Sequence, residues 1–191
     1  MNIRTFFSRI YSKTNRFEQF LFLYKGVGLR ILLMVALTAF SFTNAPKYSL
    51  ENEKLLFSFK TDHGKIMTLC EDTLKKYIVY RFGTKDKIEL EFPQKDKHSW
   101  NKFVYSFFVR GGGVSNDGID LNYLAFTQDS IKYVLYDTYS STGEKYQVGI
   151  KIIDLKKNSI RNTEGKSNTK QGTLIDFREH NLIKKSEELY D

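Results

Sequence analysis

The sequence predicts an all-β domain, a single antiparallel barrel or sandwich of about eight to ten strands with a short C-terminal tail or helix. Three observations carry this. From Leu55 onward, strand-like runs recur roughly every ten to twelve residues, with turn signals between them. The chain is 15% aromatic, with 12 Tyr and 16 Phe, residue types whose rings suit a pleated, half-buried surface. Residues 87–92 (KIELEF) alternate strictly between apolar and charged, the signature of a strand buried on one face.

Taken in order, LLFSFK (55–60) reads as the first strand and KIMTLC (65–70) as its return. The intervening Asp62-His63-Gly64 is a turn, since Asp before Gly is a strong turn former. A break is expected over residues 71–73. Ile78, Tyr80 and Phe82 then share one face, and Tyr77, Val79 and Arg81 the other. A turn is expected over residues 83–86. In the return strand Lys87, Glu89 and Glu91 point outward and guard the edge against stray pairing. Pro93 stops that strand, and QKDKHS (94–99) is a charged loop before Trp100. Residues 103–110 (FVYSFFVR) are apolar on both faces up to Arg110, so the strand is expected to be central. Strands follow at 119–126, 131–139 and 146–154, with a weaker one at 160–163. Residues 164–172 read as a flexible loop, GTLIDF (172–177) as a closing strand, and 181–190 as a short helix or frayed tail.

Residues 1–45 stand apart. They hold six basic residues and one acid, Glu18. Ile31 to Phe42 is a 12-residue apolar core, the size of a signal-peptide core and short for a membrane span. Small residues follow, with cleavage sites after Ala39, Ser41 or Ala45. An uncleaved anchor is the alternative, because residues 17–24 are also fairly apolar. No cysteine ends the apolar run, which argues against a lipoprotein. The domain itself is then residues 46–191. Beyond the leader the chain holds 24 basic and 21 acidic residues, a mixed surface without the clustered basic face that nucleic acid requires.

The first candidate site is the polar, glycine-rich segment Arg110 to Asp120 (RGGGVSNDGID). Gly111, Gly112 and Gly113 allow positive φ or a close backbone approach. Arg110 can grip a carboxylate or phosphate through two parallel hydrogen bonds. The segment lacks the GK[ST] ending of a phosphate loop, and a strand rather than a helix follows it. Asn116, Asp117, Asp120 and Asn122 supply hard oxygens of the kind calcium takes, at spacings unlike an EF-hand loop. The competing readings are a bulged hairpin turn, a partner contact and a calcium site. The binding set is Arg110, Gly111, Gly112, Gly113, Asn116, Asp117 and Asp120, with no metal and no cofactor assigned.

No enzyme template is present: there is no GxSxG, HExxH, CxxC or SxxK. The three histidines, His63, His98 and His180, are far apart. The lone Cys70 excludes an internal disulfide and reads as a buried small hydrophobe. Tyr133, Tyr136, Tyr139 and Trp100 suit either a stacking surface or, as the preferred reading, the core and sheet surface.

Two segments, YIVYRFGTKDKIELEFP (77–93) and RGGGVSNDGIDLNYLAF (110–126), resemble uncharacterised exported all-β proteins of Gram-negative bacteria over roughly residues 50–180. The resemblance implies export and compactness and brings no catalytic residues. The chain is also similar in size and strand content to periplasmic lysozyme inhibitors, but those carry cysteines and a loop without counterpart here. The expectation is an exported, periplasmic or cell-surface, non-catalytic module that binds another envelope protein, of inhibitor or immunity type. It does not bind nucleic acid and meets the membrane only through an uncleaved leader. The alternatives are an envelope hydrolase with an unrecognised site and a structural envelope component.

Overall fold

The structure is a computed structural model that describes residues 48–113 and 116–190. The leader, with its cleavage and anchor alternatives, lies outside the described residues, as do Val114 and Ser115. Residues Ala45–Asp191 form one compact unit.

Two sheets face each other. The first is a meander of β1 (Glu53–Lys60), β2 (Ile66–Asp72), β3 (Ile78–Thr84) and β4 (Lys87–Phe92). A two-residue strand, β10 (Gln171–Gly172), pairs on the far side of β1. The second sheet is a longer meander of β5 (Phe103–Arg110), β6 (Ile119–Gln128), β7 (Ile131–Ser140), β8 (Lys145–Asp154) and β9 (Ser159–Gly165). Its outer neighbour on β5 is β11 (Lys184–Ser186), which runs parallel; all other neighbours are antiparallel. The fold is therefore the expected all-β architecture in its sandwich form.

Period-two patterning explains the core. Phe57, Leu69 and Tyr80 point inward from the first sheet, and Phe103, Leu124, Phe126, Leu135 and Ile150 from the second; all are buried. Phe126 sits centrally, its ring 4.7 Å from Phe92 and 4.9 Å from Tyr133 in stacked geometry. The sheets meet at one margin, where Lys166 N–H donates to the Lys60 carbonyl at 2.8 Å and Thr61 bridges Gly165. At the opposite margin β4 and β5 do not pair, so no barrel closes. The 3-10 turn Ser99–Lys102 connects them and drops Trp100 into the core, with Trp100 Nε1 donating to the Lys75 carbonyl at 3.2 Å.

Several expectations are corrected. The break expected over residues 71–73 is strand as far as Asp72. β5 is not central: its outer neighbour is the three-residue β11, which pairs only with Val104 to Ser106. Over Phe103–Ser106 the strand is buried or half-buried on both faces as expected, whereas over Phe107–Val109 the apolar residues on both faces are exposed at an edge. GTLIDF pairs only through Gly172 and then leaves the sheet, because Leu174 and Phe177 plug the core through the 3-10 turn Ile175–Glu179. Residues 181–190 form neither helix nor frayed tail; they supply β11 and a buried Tyr190 whose ring lies 5.5 Å from Tyr123 on the outer face of the second sheet.

The outer face of the first sheet carries a buried ion pair. Arg81 grips Glu53 with both guanidinium ends, at 2.6 and 2.8 Å, and Arg81 Nε donates to Glu91 at 2.6 Å. Glu53 also accepts from Leu50 N–H and the Tyr77 hydroxyl.

Candidate functional site

Strands β5 to β8 outrun the core at one end. Their register places Phe107, Asn122, Asp137 and Val148 in one cross-strand row, and Val109, Asp120, Tyr139 and Tyr146 in the next. Both rows lie on the inward face, since residue parity along each strand is that of the core. Yet Phe107 is 43%, Val109 50% and Tyr146 63% exposed. The first sheet does not cover them, and they form an apolar shelf. The Tyr139 and Tyr146 rings meet in a tilted pair with centres 4.4 Å apart.

A polar lattice underlies the shelf. Asn122 is buried and fully satisfied: its carbonyl oxygen accepts from the Tyr105 hydroxyl at 2.7 Å and from Arg178 at 2.9 Å, and its amide donates to Asp120 at 2.7 Å and to the Asp137 carbonyl at 3.2 Å. Arg178 also pairs with Asp120 and lies over the Phe107 ring, 5.1 Å from its centre. The Asp137 carboxylate ties down the C-terminal segment, accepting from Lys170 at 2.6 Å, the Thr173 hydroxyl at 2.8 Å and Leu174 N–H at 3.1 Å. Burial, partly opposed by Arg178, pushes the Tyr105 phenol up to about 12, so it stays a neutral donor.

The glycine-rich segment is a hairpin extension beyond β5 and β6. Gly113 N–H donates to the Asn116 carbonyl at 2.9 Å, and Asn116 N–H returns to Gly113 at 3.4 Å. A Cβ on Gly112 would sit 3.2 Å from Gly118 N, so two backbones pass close there. Positive φ is found at Gly64, Gly143 and Gly172 and not at Gly111, Gly112 or Gly113; the triplet serves close approach, not left-handed backbone. Arg110 is exposed, and its Nε donates to the Asp117 carbonyl at 3.1 Å. Gly118 and Ser141 exchange two hydrogen bonds, each 2.8 Å, which fasten the hairpin to the β7–β8 turn.

The expected binding set thus divides. Arg110, Gly111, Gly112, Gly113, Asn116 and Asp117 stay together in the exposed hairpin. Asp120 turns to the inner face and binds Arg178 and Asn122. Among the described residues no group of three or more His, Cys, Asp or Glu side chains is placed to hold a metal ion. Of the aromatic candidates, Tyr133, Tyr136 and Trp100 belong to the two packed clusters, and only Tyr139 reaches the shelf. Sequence reasoning missed Phe107, Phe108, Val109, Tyr146 and Arg178. The available signal was the apolar run FFV directly before Arg110, read as double burial.

The histidines do not form one site. His63 and His98 are exposed in loops. His180 stacks on Trp100 at 4.9 Å and faces Glu71, with Nε2 and Oε2 3.9 Å apart. Leu182 N–H donates to His180 Nδ1 at 3.3 Å, which puts the neutral ring's proton on Nε2, toward the carboxylate. Burial lowers the His180 pKa from its ordinary value. The Cys70 thiol is buried and, chiefly by that burial, pushed up to about 11, the profile of an inert thiol.

The chain matches no family model, no curated protein and no solved structure.

Proposed function

We propose that this chain is an exported, non-catalytic binding module that holds another protein of the cell envelope. One observation carries the reading. Phe107, Val109 and Tyr146, 43%, 50% and 63% exposed, sit at one end of the inner face of the second sheet, while Phe108, 39% exposed, and Arg110 project from the outer face of the same strand β5. Scattered exposed apolar residues need no explanation, but three consecutive exposed apolar residues on one strand, Phe107 to Val109, ending in an exposed arginine, suit a protein contact. The lattice of Asn122, Asp120 and Arg178 fixes the platform in advance, which lowers the ordering cost of binding. The leader composition supports export, and the even charge of the body fits a protein partner better than nucleic acid.

The test is capture from an envelope extract with the full-length chain as bait, run beside Arg110→Ala and a Phe107→Ser/Tyr146→Ser double variant. All three baits are expected to fold, because the altered side chains are exposed. A partner held by the native bait should be lost or weakened at least tenfold by the double variant, since central aromatic contacts are each worth about 2 kcal/mol or more. Equal retention by native and double-variant baits would remove the shelf from the interface. No retained protein at all would remove the binding reading.

A further inference from the structure

The free margin of the second sheet is unlike the other margin of the sandwich. β4 guards its edge with Lys87, Glu89 and Glu91, and β11 carries the exposed Lys184 on its own, while the Lys185 ammonium turns to the Phe177 and Arg178 carbonyls. Charges of this kind discourage strand addition. β11, however, covers β5 only at Val104, Tyr105 and Ser106. The next four residues, Phe107 to Arg110, pair with β6 on one side and with nothing on the other among the described residues. Three of these four are apolar. Phe108 is 39% exposed on the outer face, while Phe107 and Val109 project to the inner face. An open depression lined by Phe107, Phe108, Lys185, Ser186, Glu187 and Leu189 lies where β11 ends. The margin therefore already accepts one short strand and leaves the adjoining length, about 14 Å at 3.4 Å per residue, unpaired.

We infer that the partner contributes an extended segment that adds to β5 at Phe107–Arg110, in line with β11, and that this segment is apolar on its inward side and acidic on its outward side. This rests on the binding reading above and specifies its mode. Strand addition takes its affinity from main-chain hydrogen bonds and its selectivity from alternate side chains. Inward residues of the added segment fall beside Phe107 and Val109. Outward residues fall beside Phe108 and Arg110. Arg110 spends only Nε, on the Asp117 carbonyl, and its two terminal nitrogens have no acceptor among the described residues. A carboxylate is their natural bidentate partner. A second copy of this chain fits the same edge less well. Two-fold antiparallel self-pairing brings two Arg110 side chains onto one face within a few residues, and like charges across strands are destabilising.

The experiment titrates the full-length chain into a fluorescein-labelled peptide, Thr-Val-Thr-Val-Glu-Val-Thr-Val, and follows anisotropy. Controls are the same peptide with alternate backbone nitrogens methylated and the same peptide with Lys for Glu. The native peptide is expected to bind at least tenfold more tightly than either control. Arg110→Glu should reverse the preference between the Glu and Lys peptides, and higher salt should weaken the Glu peptide. Methylated peptide binding as well as unmethylated would overturn strand addition. Indifference to the peptide charge would overturn the acidic specificity. A concentration-dependent dimer by sedimentation that Val109→Lys abolishes, with no peptide binding, would give the edge to a second copy instead. Retention of an envelope partner by the bait despite peptide failure would leave the binding module standing and refute only this mode.

Discussion

Arg81 ties together the outer face of the first sheet, pairing with Glu53 and Glu91. Its side chain is 1% exposed and Glu53's is fully buried, so neither charge reaches water and each needs the other. Pairing of this kind adds little net stability, but removal of one partner leaves a buried, unmatched ion. Arg81→Met is therefore expected to cost about 3–5 kcal/mol, read as a lowered urea midpoint. Arg81→Met/Glu53→Gln should recover a large part of that loss; equal loss in both variants would place the effect in packing rather than in charge. The alternation of residues 77–82 located Arg81 on the face opposite Tyr80, but nothing local paired it with Glu53, which is 28 residues away in sequence. Arg110 shows the reverse. Its chemistry was legible as a charged end to an apolar run, and the structure leaves it exposed.

At the scale of elements, the hairpins followed from local sequence. Residues 87–92, 103–110 and 131–139 are legible as strands from alternation and turn residues, and β4, β5 and β7 occupy those stretches, β7 reaching one residue further. The elements misread are those whose form comes from distant partners. β11 has no strand pattern of its own; Lys184 to Ser186 become strand because β5 offers an edge. The segment around Leu174 becomes a plug because Asp137 receives Lys170, Thr173 and the Leu174 amide. Asp137→Ala strips three donors of their acceptor and is expected to cost about 1–3 kcal/mol. The loss should appear first as faster amide exchange at Leu174 and Phe177, with the β2 and β3 amides still protected. Uniform loss of protection across both sheets would show that the segment is part of the global folding unit instead.

For the whole molecule, acid should act in two steps of the same sign. His180 has its pKa lowered, chiefly by burial, with Lys75 and Lys185 adding to that and Glu71 opposing. The unfolded chain then binds this proton more readily than the folded one, so the stabilisation is complete above the ordinary 6.5 and is lost as pH falls below it. Glu53 and Glu91 are also lowered, because hydrogen bonds and charge from Arg81 outweigh their burial. Their contribution is present above the ordinary 4.5 and disappears as pH falls further. Urea midpoints should fall between pH 7.5 and 5.5 and again toward pH 3.5, and His180→Gln should abolish only the first fall. An unchanged first step in that variant would assign it to another group. The all-β class, the meander of hairpins and an inward face of large aromatics follow from the order of residues alone, because alternation and turn chemistry act between near neighbours. The open sandwich formed by the two meanders, the parting of Asp120 from Arg110 to bind Arg178, and the uncovered apolar end of β5 emerge with the folded arrangement. Those outcomes depend on which distant strand arrives beside which, and on how far one sheet outruns the other, and no local pattern encodes either.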